Sequence, residues 1–471
     1  MLIICGERLN DYKKENLQMK DSWEKRDFVS CVRSHLQSNV EKVLAIGGLR
    51  GTGKTTGALQ AAEGFDTCYM LAQKGESEKG ADYIEQIKQT ACRCVIIDEY
   101  SWITDRDALD HYLITAVQNG KRIVITGTES ITMDFLGYGA LNHRVSVVHT
   151  TMFPYGEYLR MHHKTHSKTV CREYLMHGGL FEEYAIKNFE SMKSYIEEAV
   201  VRNLADYLKN EISEERARTL TYSILYKAIC PSNLDRVPVL HKYTVTLDNF
   251  LDAMGVNTAI KPDGRELERV ADIFEQIGLI VRIRNYDRSS PLSEQYYITN
   301  PSLTCQLILA AYGLRDLENS ILGHVFESCA MVQLATNKLE EHDIYFLNHG
   351  AKKSEDKNKE LDIIITDHEC EFVYLMECKF REEAKLDPDS TMLSGFAEGE
   401  YFPNAEIEGR YVIYNGSPMV KEMKTGQIIF LPISGMLDRY FEFEQNVIDI
   451  ANIVKEKYNL RKKKKEAENL E

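Results

Sequence analysis

The feature that most constrains the fold is a glycine-rich run, GLRGTGKT at residues 48–55, which matches in full the pattern GxxxxGK followed by Ser or Thr. A short apolar segment at 43–46 precedes the run and predicts a buried strand, and a helix is predicted to begin at Lys54. Glycines let the backbone wrap around an anion with its N–H groups pointing inward, and the start of a helix adds a favourable dipole. The run therefore predicts a phosphate-binding loop, called the phosphate loop below, between a strand and a helix.

The residues of the phosphate loop have separate predicted roles. Lys54 can reach the β- and γ-phosphates of a nucleotide, and the Thr55 hydroxyl is a ligand for Mg²⁺. The predicted cofactor is therefore ATP with Mg²⁺. The residues predicted to bind it are Gly48, Arg50, Gly51, Thr52, Gly53, Lys54, Thr55, Thr56 and Asp98.

A second part of the same site is predicted at the run VIIDE, residues 95–99. Asp98 ends a buried strand, where an unpaired charge is costly. A bound Mg²⁺ would offset that cost, so Asp98 is predicted to ligate the metal together with Thr55. Glu99 follows directly and is predicted to polarise the attacking water. The alternative is a strand that ends in two solvated acids.

The interval from Lys54 to Asp98 is long enough for a helix, a strand and a second helix. It predicts that an extra strand separates the phosphate-loop strand from the Asp98 strand, an order that resembles the additional-strand ATPases, which include AAA proteins. Thr126, with Thr128 as second choice, resembles the AAA sensor 1 that orients water beside the γ-phosphate. Arg144 lies where an AAA arginine finger would lie, often supplied by a neighbouring subunit; the alternative is a surface arginine.

Composition limits the class of protein. The chain has 471 residues, so two to four domains are expected, and its 44% hydrophobic and 27% charged residues are typical of a soluble globular protein. The formal charge of -15 argues against a DNA clamp that uses the whole surface. The 11 cysteines show no paired spacing and indicate reduced thiols in the cytoplasm. No apolar run approaches the length of a transmembrane helix, so no membrane partner is expected.

The pattern of apolar runs predicts four regions. Strands at 43–46, 67–71, 94–97, 122–125 and 145–148 alternate with helices, which predicts a parallel sheet with helices on both sides. The predicted domains are an ATPase core at 1–152, a helical lid at 153–210, a winged-helix segment at 211–305 and a second α/β domain at 306–471. The last is predicted to contain strands at 361–366, 372–378, 410–414 and 427–431.

A second site is predicted in the last region. Antiparallel pairing about the turn near 367–370 would bring Asp362 and Glu377 to the same end of a hairpin, and Glu377 shares a strand face with Lys379. Such a trio resembles the PD-(D/E)xK nuclease core. In that resemblance, Glu327, Asp362 and Glu377 would hold Mg²⁺ or Mn²⁺, and Lys379 would position the water nucleophile. The alternative is an acid and lysine alternation on a solvent-facing strand.

The winged-helix segment is predicted to end in a helix followed by a two-stranded hairpin. Both carry arginines that could contact phosphates. They are Arg265, Arg269, Arg282, Arg284 and Arg288. Four acids crowd the same helix with negative charge. They are Glu266, Glu268, Asp272 and Glu275. A structural or interaction role is therefore favoured for this segment.

The order of several short motifs resembles one family. Besides the phosphate loop and the acids after it, the motifs are Thr126-Gly127-Thr128, Phe153-Pro154, Gly178-Gly179-Leu180, Tyr297-Ile298, residues 323–327, Glu360-Leu361-Asp362 and Glu377-Cys378-Lys379. Together they resemble, over about residues 26–433, the prokaryotic AAA ATPases whose C-terminal half is a domain of unknown function with a nuclease-like core. The resemblance implies an α/β fold: an AAA-type P-loop parallel sheet, a helical lid, a winged-helix segment and a restriction-endonuclease-like domain.

Three functions follow as hypotheses. The leading one is an ATPase that couples nucleotide state to the C-terminal domain and acts on DNA, either as a homo-oligomer or with a protein partner. The second is a signalling switch that hydrolyses ATP slowly and whose C-terminal domain only binds a partner. The third is an ATP-regulated nuclease of defence or repair.

Overall fold

The structure is a computed structural model. It describes residues 1–5, 7–15, 17, 19, 24–73, 79–127, 141, 144–181, 185–208, 210–229, 245–288, 293–337, 341–348, 360–381, 393, 402, 404–423, 426–433, 452 and 455–463. Within these residues the chain forms a six-stranded and an eight-stranded sheet. No helix among them is both long enough and apolar enough to span a bilayer.

The six-stranded sheet has the order β1-β3-β4-β5-β2-β6. Its strands are β1 (Leu2–Cys5), β2 (Val43–Gly48), β3 (Thr67–Leu71), β4 (Cys94–Asp98), β5 (Arg122–Thr126) and β6 (Val145–Thr150). The last five run parallel to one another, and β1 pairs antiparallel with β3 at the edge. All five strands predicted for this region form. The predicted extra strand is confirmed, because β5 lies between β2 and β4.

Helices cover both faces of this sheet because its strands are apolar on both sides. Along β2, Leu44 and Ile46 face the helices α1 (Glu7–Glu15), α2 (Phe28–Gln37) and α3 (Lys54–Ala61). Val43 and Ala45 face the opposite way, towards α4 (Gly80–Gln89) and α5 (Asp107–Gln118). Because β2, β4 and β5 run parallel to one another, their carboxyl ends lie at the same edge of the sheet.

The next region is helical. Its helices are α6 (Tyr155–Met161), α7 (Lys168–His177), α8 (Phe189–Tyr195), α9 (Arg202–Tyr207), α10 (Glu214–Ile229), α11 (Leu247–Ala253), α12 (Gly264–Gln276), α13 (Pro301–Tyr312) and α14 (Asn319–Asn337). Between α8 and α9 the chain continues as a π-helix, Ile196–Val201. Side chains cap several of these helices: Asn300, for example, accepts from the Leu303 N–H at 3.0 Å, directly before the proline that opens α13. The helices share one apolar core with a face of the second sheet.

The eight-stranded sheet has the order β13-β14-β12-β11-β10-β9-β7-β8. Its strands are β7 (Ile280–Asn285), β8 (Glu294–Ile298), β9 (His342–Asn348), β10 (Glu360–Asp367), β11 (Phe372–Lys379), β12 (Glu406–Tyr414), β13 (Met419–Met423) and β14 (Gly426–Pro432). The predicted hairpin forms as β7 and β8, and β7 also pairs in parallel with β9. The hairpin therefore continues the C-terminal sheet, while the domain boundary at 305 stays a prediction.

The side chain of Asn285 joins the hairpin to the rest of this sheet. Its amide nitrogen donates to the Asn348 carbonyl at 2.8 Å, and its amide oxygen accepts from the Asn348 N–H at 3.2 Å. Both residues are buried, with exposures of 3% and 5%. The Asn285 side chain thus provides hydrogen-bond partners for the N–H and the carbonyl of Asn348, at the point where the pairing of β7 with β9 ends.

We expect Asn285→Ala to lower the free energy of unfolding by about 2–4 kcal/mol, because it leaves two buried main-chain groups of Asn348 without their partner. Urea unfolding and hydrogen exchange in β9 measure the effect. The control is Asn257→Ala, which removes an exposed amide that bonds Glu215 at 2.9 Å. Equal unfolding midpoints for the two variants would contradict the role given to Asn285.

Candidate functional site

The phosphate loop leaves the carboxyl end of β2 and enters α3, as predicted. Three of its glycines have positive φ: 137° at Gly48, 83° at Gly51 and 84° at Gly53. These angles are strained for any residue with a Cβ, so the sequence needs glycine at each of them. The loop is closed by a hydrogen bond from the Thr52 hydroxyl to the Leu49 carbonyl at 2.8 Å.

Lys54 lies inside the loop. Its ammonium group donates to the carbonyls of Gly48 at 2.7 Å and Leu49 at 2.9 Å, and the residue is 8% exposed. The backbone thus holds the positive charge in the concave side of the loop. An anion that binds there would meet both this charge and the first N–H groups of α3.

Asp98, at the end of β4, is the centre of a group of hydroxyls. The Thr55 hydroxyl donates to both of its carboxylate oxygens, at 2.9 and 3.1 Å. The Tyr69 hydroxyl donates to it at 2.6 Å, and the Thr126 hydroxyl donates from the end of β5. Burial, together with the charge of Asp98, raises the pKa of Tyr69, so its hydroxyl remains a donor. Asp98 itself is 3% exposed.

The structure therefore brings Thr55, Asp98 and Thr126 together, as their places at neighbouring strand ends predict. The Thr126 hydroxyl contacts the Asp98 carboxylate directly, and its role as sensor 1 stays a prediction. Thr128 lies outside the described residues. Tyr69 was not predicted; its signal in the sequence is a phenol within a strand that is otherwise apolar, TCYML.

Glu99 lies next to this group in a strained conformation. Its φ and ψ are 56° and 43°, in the left-handed region that residues with a side chain rarely adopt. Its N–H donates to Asp98 at 3.2 Å, and its carbonyl accepts from Trp102 at 3.0 Å, in the 3₁₀ turn that follows β4. The strained residue is thus the same one that the sequence predicts to polarise the attacking water.

Arg144 lies at the other end of the sheet. Its carbonyl accepts from the Val43 N–H at 3.1 Å, at the amino end of β2, and its side chain is exposed. The six residues of β2 separate it from the phosphate loop by roughly 17 Å. Its side chain cannot reach the loop of its own chain, so an arginine-finger role would require a neighbouring copy and stays a prediction.

Arg26 was not predicted as a site residue, although it contacts the phosphate loop. Its guanidinium donates to the Thr52 carbonyl at 2.7 Å, to the Thr151 carbonyl at 2.8 Å and to Glu157 at 2.7 Å. The exposures of Arg26 and Glu157 are 4% and 2%. The sequence indicates it only as an arginine shortly before the first apolar residues of α2. Arg26 thus binds the loop to the start of the helical region.

Two further contacts bring the helical region against the loop. The Tyr195 hydroxyl donates to the Arg50 carbonyl at 3.1 Å, and the Arg50 side chain pairs with Glu198 of the π-helix at 3.5 Å. The Phe181 N–H lies 3.5 Å from the Gly51 carbonyl. The predicted cofactor residue Arg50 is therefore directed towards the helices rather than into the concave side of the loop.

The second predicted group converges at the ends of β10 and β11. The pairing of Ile363 with Met376 places Asp362 opposite Glu377, and Lys379 forms an ion pair with Glu377. The carboxylate of Asp362 accepts from the Cys378 N–H at 2.7 Å. Glu377 is 3% exposed, so the alternative of a solvent-facing alternation is excluded for this residue.

The closeness of these charges, together with burial, changes the pKa of two groups in the cluster. Burial first, and then the charge of Glu327 on α14, raise the pKa of Asp362 well above its usual range. Burial acts to lower the pKa of Lys379, but the charges of Asp362 and Glu377 outweigh it and raise that pKa. The lysine thus stays protonated beside the acids.

These acids are not arranged as a metal site. Across the described ranges, no group of three or more His, Cys, Asp or Glu side chains is placed to hold a metal ion. The physical reason is that Glu377 is held by Lys379 and Asp362 by a main-chain N–H. The metal predicted for Glu327, Asp362 and Glu377 is therefore not shown.

Two of the arginines singled out in the winged-helix segment, Arg282 on the hairpin and Arg269 on α12, are neutralised by acids. Arg282 pairs with Glu275 at 2.7 Å and Asp272 at 2.6 Å, contacts Glu268 at 3.2 Å, and has a side chain that is 17% exposed. The Arg269 guanidinium bonds Glu211 at 2.9 Å. The acids of α12 thus neutralise Arg282.

Comparison with protein-family models and with curated proteins gave no match. Among solved structures, the chain is similar to C. elegans PCH-2, at 14% identity over 48% of this chain and 68% of that chain, with a TM-score of 0.24. It is similar to the S. cerevisiae Hsp104–ADP complex at 12% identity, over 70% of this chain and 44% of that chain, with a TM-score of 0.28. It is similar to the Thermotoga maritima RuvB Holliday junction branch migration motor at 12% identity, over 56% of this chain and 91% of that chain, with a TM-score of 0.22. Likenesses this remote assign neither ligand nor activity.

We expect Gly53→Ala to destabilise the protein more than Gly64→Ala. The two glycines have nearly equal φ, 84° and 83°, but a Cβ on Gly53 would lie 2.5 Å from the Phe181 ring, whereas one on Gly64 would meet nothing within 4 Å. Both variants carry the backbone strain of about 1 kcal/mol, and only Gly53→Ala must also displace the ring. Thermal unfolding of both variants measures the difference; equal midpoints would show that Phe181 does not close the loop.

Proposed function

We propose that this chain is an AAA-type ATPase that binds ATP with Mg²⁺ and hydrolyses it. The observation that carries the proposal is the contact of the Thr55 hydroxyl with the Asp98 carboxylate, at 2.9 and 3.1 Å, beside a glycine-rich loop that encloses Lys54. A hydroxyl and a carboxylate are the hard oxygen donors that Mg²⁺ prefers, so the residues present fit the metal.

The roles of the residues follow from their positions. Mg²⁺, when bound, supplies positive charge that neutralises the phosphate oxygens. Lys54 and the N–H groups at the start of α3 would hold the phosphates, and Thr55 and Asp98 would hold the metal. Glu99, one residue past the end of β4, would orient and deprotonate the attacking water. Thr126 would fix the orientation of Asp98.

The sheet order supports the assignment to the AAA type. A strand between the phosphate-loop strand and the Asp98 strand places Thr126 between the two halves of the site. Arg144, on the far edge, would then act on a neighbouring copy in a homo-oligomer. The described cysteines are free thiols, which supports a reducing compartment such as the cytoplasm.

We further propose that nucleotide state is coupled to the C-terminal sheet, with the chain divided at about 152, 210 and 305. The C-terminal sheet has two candidate functions: DNA cleavage and binding of a protein partner. The convergence of Lys379, Glu377 and Asp362 at strand ends favours a nuclease-like site that acts on DNA. The acids do not form a metal site as they stand, which favours the alternative, a slowly hydrolysing switch whose C-terminal domain binds a protein partner. No metal step is assigned to this cluster.

We expect Lys54→Ala to weaken ATP binding at least about tenfold, because the positive charge within the loop is lost, while Glu99→Gln binds ATP and loses about 10²–10⁴-fold in turnover. Binding is measured by calorimetry with ATP and Mg²⁺, and turnover by phosphate release. Lys42→Ala, which removes an exposed lysine just before β2, is the control for charge. Unchanged turnover in Glu99→Gln would remove this residue from the mechanism.

If the C-terminal sheet carries a nuclease-like site, the wild-type protein cleaves DNA in the presence of ATP with Mg²⁺ or Mn²⁺, and Lys379→Ala loses that cleavage because no cation then stabilises the developing charge. Lys421→Ala, on β13 of the same sheet, is the matched control, and circular dichroism verifies that both variants fold. If the wild-type protein leaves single-stranded and double-stranded DNA intact while it hydrolyses ATP, the switch is the correct function.

A further inference from the structure

We propose that a buried chain of contacts, formed by Arg26, Phe153, Tyr174 and Gln333 and called the relay below, transmits nucleotide state from the phosphate loop to α14, the helix that carries Glu327. The proposal rests on the proposed function, since it names the physical route of the coupling. Each link of the relay is a direct contact between buried groups.

The first link binds the relay to the phosphate loop. The Arg26 guanidinium donates to the Thr52 carbonyl at 2.7 Å, one residue before Gly53. A loop that rearranges around phosphates must therefore either carry Arg26 with it or lose a charge-assisted hydrogen bond in a buried setting, which is costly. Glu157 holds the other side of the guanidinium at 2.6–2.7 Å, so a rotation of Arg26 away from Thr52 would also break this ion pair.

The second link passes through Phe153. The Arg26 guanidinium lies over the Phe153 ring, 4.5 Å from its centroid, and also donates to the Thr151 carbonyl at 2.8 Å. The ring meets Phe181 edge to face at 4.6 Å, and Phe181 is the ring that closes over Gly53. Phe153 is 2% exposed, so a movement of Arg26 displaces the segment that begins the helical region.

The third link is a single hydroxyl. The Tyr174 hydroxyl on α7 donates to the Phe153 carbonyl at 2.6 Å and accepts from the Gln333 side-chain amide on α14 at 3.1 Å. Tyr174 is 1% exposed and Gln333 is 5% exposed. Because one hydroxyl serves both bonds in a low-dielectric interior, a displacement on one side weakens the bond on the other.

The last step lies within α14. Gln333 and Glu327 share this helix, which behaves as a rigid element between them. Phe326, beside Glu327, packs on Phe380 at 5.5 Å between ring centroids, directly after Lys379 on β11. A shift of α14 therefore changes the distance from Glu327 to Asp362, whose pKa already responds to the charge of Glu327.

The test uses hydrogen exchange on the full chain in a Glu99→Gln background, with and without ATP and Mg²⁺. We expect ATP to change exchange in Lys54–Ala61 and in Asn319–Asn337. Adding Tyr174→Phe should keep the change in Lys54–Ala61 and reduce the change in α14 at least about twofold, the lower range for residues that carry coupling. Gln333→Met breaks the same link from the other side and should give the same loss.

Tyr155→Phe is the matched control. It removes a hydroxyl that bonds His166 at 2.9 Å, from a tyrosine that is 0% exposed against 1% for Tyr174. The centroid of its ring lies 5.1 Å from that of Tyr174, but the residue is outside the relay. An α14 response that survives Tyr174→Phe and Gln333→Met, or that Tyr155→Phe reduces equally, overturns the relay. A response in Lys54–Ala61 without one in α14 overturns the relay alone. No response in either segment overturns the proposed function and the relay with it.

Discussion

The carboxylate of Asp98 ties together the parts of the first sheet that form the site. It lies at the end of β4, and hydroxyls reach it from α3, β3 and β5 through Thr55, Tyr69 and Thr126. The Glu99 N–H also donates to it, so two oxygens accept from four donors. The convergence of these donors requires that the ends of β4 and β5, the middle of β3 and the first turn of α3 lie close together. The order of the parallel strands is what brings these donors together.

Much of this sheet could be predicted, because its strands are buried on both faces and appear in the sequence as apolar runs separated by helical segments. β1, β9 and β13 were not predicted: the first and last are short edge strands, and β9 has polar residues at both ends of a short apolar run. The phosphate loop, Asp98 and the trio of Asp362, Glu377 and Lys379 follow from local motifs. Arg26 and Tyr69 do not, because their partners are far along the chain and no local pattern encodes such contacts.

The two groups of charges differ in how they are compensated. At Asp98 the negative charge meets neutral donors, which leaves it able to attract a cation. At the second cluster Lys379 already neutralises part of the charge of Glu377, and Asp362 is held near Glu327 at a raised pKa. The same contrast applies to Arg282, whose charge three acids of α12 already satisfy. Of these two groups in the described part of the chain, the first is therefore the one whose donors fit the metal that we propose.

The buried ion pair of Arg26 and Glu157 is better explained by the orientation that it gives to two backbone segments than by a contribution to the free energy of unfolding. Removing two such charges from water costs several kcal/mol per ion, and a well-packed apolar pair often serves the fold equally well. An apolar pair, however, could not donate to the carbonyls of Thr52 and Thr151 and so could not hold two separate segments in one orientation. The guanidinium therefore makes the phosphate loop and the Thr151 segment one unit, so that a rearrangement of the loop around an anion carries the start of the helical region with it. The ion pair with Glu157 is thus retained for the connection between two segments rather than for its contribution to stability.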